Sequence, residues 1–126
     1  MNYTFQFGVV LDRLPELLHG AILTLELGLL SFWGGALLGL ALAALKTYGG
    51  AVVGGLASAY VTFFTNTPLL IQIYFIFWGL PDVGIVFSAF AAVLIGLTLN
   101  TGAYLCEIMR GGFLSVRRSE LEAAET

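Results

Sequence analysis

The sequence predicts an all-α integral membrane protein with about three transmembrane helices, and three observations support this fold class. Of its 126 residues, 59% are hydrophobic and only 10% are charged, whereas a soluble domain carries about 25% charged residues. The mean hydropathy is +0.95. The few charges leave three long uncharged stretches, residues 27–45, 47–81 and 83–106, and a span needs roughly 20 mostly apolar residues. This composition excludes soluble enzymes, nucleic-acid-binding proteins and secreted disulfide scaffolds.

The first segment and the first helix are separated by a proline. Residues 1–14 mix aromatic, aliphatic and polar side chains, and we interpret them as an arm lying at the membrane interface. The first helix is predicted over residues 15–45. Pro15 suits the first helical position, because the N–H that proline lacks has no partner there in any case. The Gly49-Gly50 pair is expected to end this helix.

The second uncharged stretch is too long for one simple span and too short for two. A continuous helix over residues 47–81 would reach about 52 Å, against about 30 Å of hydrocarbon. We therefore predict a helix over residues 54–80 that bends at Pro68. The proline frees a backbone carbonyl one turn earlier, which nearby hydroxyls can satisfy. Such a bend either lines a cavity or only shapes the packing, and the sequence leaves both interpretations open.

Several polar residues near this bend are candidates for a translocation path. One further candidate is an amide residue in the third predicted helix, which covers residues 87–110. The candidates are Thr65, Asn66, Thr67, Pro68, Gln72 and Asn100.

The end of the third helix carries two charges of opposite sign. Glu107 and Arg110 are spaced i,i+3, so they can pair along one helix face. We interpret them as a structural ion pair that anchors the helix end. The Gly111-Gly112 pair is expected to interrupt the helix, and residues 113–126 form a charged, helix-prone tail.

The basic residues predict the orientation in the membrane. Three spans place the end of the first helix and the tail on the same side, where Lys46, Arg110, Arg117 and Arg118 are found. By the positive-inside rule this side is cytoplasmic and the N-terminal arm is outside.

Small or short polar residues recur at every fourth position in each predicted helix. Such stripes let helices approach closely in lipid, within a subunit or between subunits. Chance is the alternative, because these residue types are common here. The stripes are Ser31, Gly35, Gly39 and Ala43; Gly50, Gly54, Ser58 and Thr62; and Ser88, Ala92, Gly96 and Asn100.

Glu26 is the acidic residue within a predicted span. Intramembrane acids often mark ion or substrate pathways. The alternative is that Glu26 lies close enough to the outer interface, or to a neighbouring helix, to be tolerated. If Glu26 carries protons, the chain would be a small proton-coupled antiporter, although such a protein needs four spans.

Four segments, in order along the chain, resemble motifs of one family. The segments are Leu14-Pro15-Glu16-Leu17-Leu18-His19-Gly20-Ala21; Ala59-Tyr60-Val61 with Thr67-Pro68-Leu69-Leu70-Ile71-Gln72; Gly102-Ala103-Tyr104-Leu105-Cys106-Glu107-Ile108-Met109-Arg110-Gly111-Gly112; and Glu122-Ala123-Ala124. Together they resemble the membrane permease subunit of bacterial polar amino acid ABC importers, the histidine/glutamine/arginine/octopine group. The chain departs from that family at Thr65-Asn66, where Arg-Gly is usual, and at Ser119-Glu120, where Gly-Gln is usual.

This resemblance implies a mechanism and a set of partners. A periplasmic binding protein would deliver an amino acid to a permease dimer of type I architecture, either homo- or heterodimeric, in the bacterial inner membrane. A separate cytoplasmic ATPase would drive transport, since the chain has no Gly-rich phosphate loop. Glu122, Ala123 and Ala124 would begin the helix that couples the permease to that ATPase. No metal, cofactor or nucleic acid is expected.

The resemblance also predicts that the chain is the N-terminal part of a longer permease. Two further membrane helices would follow in that family, and we expect the chain alone to be unable to transport. The alternatives to a permease are the antiporter using Glu26 and a non-transporting membrane assembly subunit.

Overall fold

The computed structural model describes residues 7–124, with side chains described from residue 11 to residue 112. This part of the chain contains helices and short connections. The elements are α1 (Phe7–Asp12), α2 (Leu14–Tyr48), α3 (Gly50–Asn66), α4 (Leu69–Tyr74), a π-helical turn (Phe75–Gly79), a 3₁₀ turn (Leu80–Val83) and α5 (Ala89–Ala124). The predicted all-α class is confirmed.

Two helices of the described chain are long and apolar enough to cross a membrane, namely α2 and the Ala89–Gly112 part of α5. A third span exists if α3 and the segment Leu69–Val83 form one broken span. The chain bends by 103° between these two segments. The prediction of about three membrane helices therefore agrees with the fold, provided that the middle one is broken.

The first predicted helix is extended at both ends. It covers Leu14–Tyr48 instead of residues 15–45, with Pro15 in its first turn as expected. Gly50 has a φ of 69°, a conformation that glycine adopts readily. The chain therefore turns directly into α3 at Gly50, four residues before the predicted start of the second helix at residue 54.

The second predicted helix, over residues 54–80, is divided at Pro68 rather than merely bent there. Thr67 is extended, with φ −107° and ψ 126°, because the proline ring disfavours helical geometry in the residue before it. Helical structure resumes at Leu69 and then changes to the π-helical and 3₁₀ turns. The steric effect of Pro68 on Thr67 is stronger than the sequence analysis assumed.

The third predicted helix begins and ends differently from the prediction of residues 87–110. The Ser88 hydroxyl accepts a hydrogen bond from the Ala91 N–H at 3.2 Å, which caps the start of α5. The helix then continues through Gly111 and Gly112 to Ala124. A mid-helix glycine costs only about 1 kcal/mol relative to alanine, so the pair does not stop the helix, and residues 113–124 extend it.

The closest packing in the fold joins α2 to α5 through glycine. A Cβ atom on Gly35 would lie 2.7 Å from the Thr101 Cβ, and one on Gly39 would lie 3.0 Å from the Cys106 backbone nitrogen. The helix backbones approach so closely that no side chain fits between them at these two positions. Glycine is therefore required for this crossing.

The first small-residue stripe coincides with this contact. Ser31, Gly35, Gly39 and Ala43 are all buried, so the stripe packs within the chain. The second stripe is different, because α3 buries Ala57 and Val61 instead of the stripe's own residues.

The buried core lies where α2, α3 and α5 meet. Its members are Leu42, Ala43, Ala57, Val61 and Cys106. Cys106 is a free, fully buried thiol, as expected of a cysteine packed like a small hydrophobic residue.

Candidate functional site

The break between α3 and α4 leaves the Phe64 carbonyl without its usual helical partner. In a continuous helix this oxygen would accept from the N–H of residue 68, which is a proline and has none. The Gln72 side-chain amide donates to the Phe64 carbonyl at 3.0 Å, and the Asn100 amide donates to it at 3.3 Å. Two side-chain amides therefore replace the missing backbone hydrogen bond.

The same Gln72 nitrogen also donates to the Thr67 carbonyl at 2.8 Å. Gln72 thus bridges both sides of the break, while Asn100 ties the break to α5. The sequence analysis predicted that hydroxyls would satisfy the freed carbonyl, and this was wrong. The hydroxyls of Thr65 and Thr67 are too close along the chain and donate to the carbonyls of Val61 and Phe63 instead.

The remaining candidate amide is also engaged within its helix. Asn66 donates to the Thr62 carbonyl at 2.7 Å. Of the six translocation-path candidates, the structure therefore brings Gln72 and Asn100 together on the carbonyl that Pro68 leaves without a backbone donor. Thr65 and Asn66 bond back into the last turn of α3.

A mostly apolar pocket of about 470 Å³ lies against the break. Its walls include Phe63, Phe75 and Leu99, and its polar members are Thr67 and Gln72. Gln72 is 6% exposed, and its Oε1 atom has no hydrogen-bond partner among the described residues. The pocket surface is apolar, so the buried Gln72 Oε1 atom is not exposed to it.

A second polar cluster joins the end of α2 to α5. The Lys46 ammonium donates to Glu107 Oε1, and the Arg110 guanidinium donates to Glu107 Oε2 at 3.2 Å. Two cations therefore share one carboxylate. We call Lys46, Glu107 and Arg110 the charge triad.

The sequence analysis paired Glu107 with Arg110 and missed Lys46. The signal that could have identified it was the topology, which already placed Lys46 and Arg110 on the same side of the membrane. A lysine near the end of an apolar helix requires an opposite charge when it is largely buried, and only 14% of the Lys46 side chain is exposed. Glu107 is the carboxylate that α5 brings to that end.

The predicted coupling residues lie outside the part of the chain with described side chains. The α5 backbone is helical through Glu122, Ala123 and Ala124, so the segment is an extension of a spanning helix rather than a separate one.

Glu26 lies exposed on α2. Among the described residues, no group of three or more His, Cys, Asp and Glu side chains could hold a metal ion. Glu26 takes part in none of the ion pairs found among the described side chains.

Comparisons with known proteins agree with the fold. Residues 35–126 match the family described as the binding-protein-dependent transport system inner membrane component. The probable amino-acid ABC transporter permease protein YckA of Bacillus subtilis (strain 168) is 32% identical over 99% of this chain and 55% of its own length. PatM of Vibrio harveyi, with the same description, is 33% identical over 95% of this chain and 55% of its own length.

One solved structure is similar over nearly the whole chain. It is described as the crystal structure of an amino acid ABC transporter with histidines, and it superposes with a TM-score of 0.90 at 34% identity. The match covers 98% of this chain and 57% of the other, so this chain spans about half the length of the relatives it matches. The similarities supply no support for an antiporter or for a non-transporting assembly subunit. The chain belongs to the family of inner membrane components of binding-protein-dependent transport systems.

Proposed function

We propose that this chain is part of the permease subunit of an ATP-driven ABC importer for polar amino acids in the bacterial inner membrane. The observation that carries the proposal is the match over 98% of the chain, at a TM-score of 0.90, to an amino acid ABC transporter. The names of YckA and PatM point to the same substrate class. The chain would span the membrane several times and leave ATP hydrolysis to a separate subunit.

The proposed partners follow from the family. A periplasmic binding protein would deliver the amino acid, a second permease subunit, identical or paralogous, would complete the pathway, and a cytoplasmic ATPase would drive it. The N-terminal arm would be periplasmic and the tail cytoplasmic. The charge triad supports this topology, because it brings Lys46 and Arg110 to the same end of the bundle.

The pocket at the helix break is our candidate for part of the translocation path. Broken helices are tolerated within membranes where they are buried in protein or line a cavity. Here Gln72 and Asn100 bridge the break, and an apolar pocket lies against it.

Uptake by the complete transporter tests the function. The complex would be purified through an affinity tag on this chain, reconstituted into liposomes containing ATP, and supplied with binding protein and radiolabelled histidine, glutamine, arginine or octopine. We expect ATP-dependent accumulation of at least one of these solutes, and none with a non-hydrolysable ATP analogue. An intact complex that accumulates none of them would overturn the proposal.

The same liposomes separate the importer from the antiporter. Glu26→Gln is expected to leave ATP-driven uptake nearly unchanged, because Glu26 lies exposed on α2 and away from the break and the triad. Loss of uptake with this variant, together with inhibition of the wild type by a protonophore, would favour the antiporter.

Coupling to the ATPase is tested at Glu122. We propose that Glu122 pairs with a basic residue of the ATPase, while Ala123 and Ala124 permit close approach of the helices. Glu122→Lys is therefore expected to abolish co-purification of the ATPase. Glu120→Lys makes the same charge change two residues earlier and should retain it. Equal retention by both variants would contradict the assignment.

A further inference from the structure

We propose that Lys46 is a positioning residue, which fixes the direction of the cytoplasmic extension of α5 through its bond to Glu107. Motion of α2 and α5 is thereby transmitted to the ATPase-coupling segment. This inference rests on the proposed function. It goes beyond a structural ion pair within α5, because Lys46 belongs to a different helix and forms its contact across the helix crossing.

The position of the triad makes it the last polar link before the tail. Among the described side chains, hydrogen bonds between separate helices occur at Tyr60 with Leu99, at Gln72 and Asn100 with Phe64, and at Lys46 with Glu107. The Lys46–Glu107 bond lies nearest the tail. Helix α2 ends two residues after Lys46, whereas α5 continues from Glu107 to Ala124.

The length of this extension turns a small change at Glu107 into a large one at the coupling segment. Fifteen residues separate Glu107 from Glu122, which corresponds to about 22 Å of helix. A tilt of about 10° at Glu107 would displace Glu122 by roughly 4 Å over that length. The tilt of α5 at the triad therefore determines the position of the coupling residues.

The packing beside the triad supports a positioning role for the pair. Immediately before Glu107, the α2–α5 contact is set by Gly39 against Cys106, which brings the backbones together but supplies no directional bond. Lys46 adds a directional, charge-assisted hydrogen bond at the end of that contact. With the lysine ammonium largely withdrawn from solvent, the pair is less screened than a surface pair.

The composition of the triad also provides a clean test. Removing the lysine charge leaves Glu107 paired with Arg110, so no carboxylate is stranded without a partner. Lys46→Met keeps most of the aliphatic chain that packs against α5 and removes only the ammonium group. The variant is therefore expected to fold and assemble.

The experiment measures amino acid uptake per ATP hydrolysed by the complete reconstituted transporter. For Lys46→Met, with the ATPase still co-purified in full, we expect this ratio to fall by roughly threefold to thirtyfold. Lys46→Arg, which retains a cation, should restore most of it. Arg13→Met is the matched control, because it removes a cation from an exposed ion pair near the other end of α2.

Two outcomes would overturn the inference. An unchanged uptake-to-hydrolysis ratio in Lys46→Met would show that the bond is not used in coupling. A parallel fall of uptake, hydrolysis and ATPase co-purification would show a merely structural role. If the wild-type transporter hydrolyses ATP but takes up no amino acid, the proposed function fails rather than this inference. A distance measurement then tests the positioning role of Lys46 independently of transport.

That measurement is the distance between nitroxide labels on Trp33→Cys in α2 and Ser119→Cys in the tail, in a Cys106→Ala background. We expect a narrow distance distribution with Lys46 and a broader one with Lys46→Met. Indistinguishable distributions in the purified complex would refute the positioning role, whatever the transport assay shows.

Discussion

The α2–α5 crossing and the break at Pro68 are stabilised in opposite ways. At the crossing, Gly35 and Gly39 let the backbones approach until no side chain fits between them. At the break, side-chain amides replace the backbone hydrogen bond that Pro68 removes. Close packing therefore depends on the absence of a side chain in one region, and an interrupted helix depends on specific polar side chains in the other.

The difference predicts how each region responds to change. The crossing should respond steeply to added volume, because two backbones cannot yield as a flexible side chain can. The break should respond in smaller steps, because several donors share the freed carbonyl groups. Substitutions in the two regions test this contrast.

Gly39→Leu should have the largest effect. A Cβ atom alone would lie 3.0 Å from both the Cys106 nitrogen and the Gly102 oxygen, so the helices must separate to admit the side chain. We expect a loss of stability of about 3 kcal/mol or more, measured as a fall in the melting temperature of the detergent-purified protein. Gly28→Leu on the same helix is the control, since a Cβ there meets no atom within 4 Å. Equal melting temperatures for both variants would contradict the close-approach account.

Gln72→Leu should have the next largest effect. The substitution preserves the approximate volume but removes the donor to the carbonyls of Phe64 and Thr67. Leaving a buried carbonyl short of its partner costs about 1–3 kcal/mol. Asn100→Leu should cost less, because Phe64 would retain Gln72 as a donor. The reverse order of the two variants in thermal unfolding would show that Gln72 is not the main support of the break.

The sequence predicted these two regions to different depths. The spacing of small residues identified the α2 stripe, because a period of four is visible without knowledge of the partner helix. Pro68 located the break, since its missing N–H is a local property. The second partner of the freed carbonyl was not predictable, because Asn100 reaches Phe64 from 36 positions further along the chain. Lys46 was missed although the predicted topology placed it on the same side as Arg110, because its contact with Glu107 joins two helices.

The predicted helix boundaries were wrong where a local rule competed with the extension of an existing helix. Gly111-Gly112 indicated an interruption, but the cost of glycine within a helix is small compared with the cooperative gain of extending an existing helix. The boundary at Gly50 depended on one positive φ angle, which the sequence permits but does not require.

Tyr60→Phe should produce a smaller effect than either amide substitution. It removes only the hydroxyl that donates to the Leu99 carbonyl at 2.9 Å, while the ring keeps its contact with Phe64, at a centroid distance of 4.5 Å. A hydrogen bond between membrane helices contributes about 0.6 kcal/mol on average. The melting temperature should therefore fall slightly for Tyr60→Phe and considerably more for Tyr60→Ala. A loss as large as that of Gln72→Leu would mean that this hydroxyl, rather than the amide network, holds α3 against α5.

Arg13→Met should have the smallest effect and sets the lower end of the comparison. Arg13 pairs with Glu16 at 2.9 Å near the start of α2, and 67% of the Arg13 side chain is exposed. Solvent screens such a pair, and its side chains lose rotamer freedom to form it, so exposed pairs of this kind contribute about 0–1 kcal/mol. The triad at the other end of α2 has the same charge types, but Lys46 is only 14% exposed. The melting temperatures of Arg13→Met and Lys46→Met would be compared with the wild type in 50 mM and 500 mM salt. If salt changes the loss of stability equally in both variants, burial does not distinguish the two ends of the helix. A small, salt-dependent loss for Arg13→Met and a larger, salt-insensitive one for Lys46→Met would establish that it does.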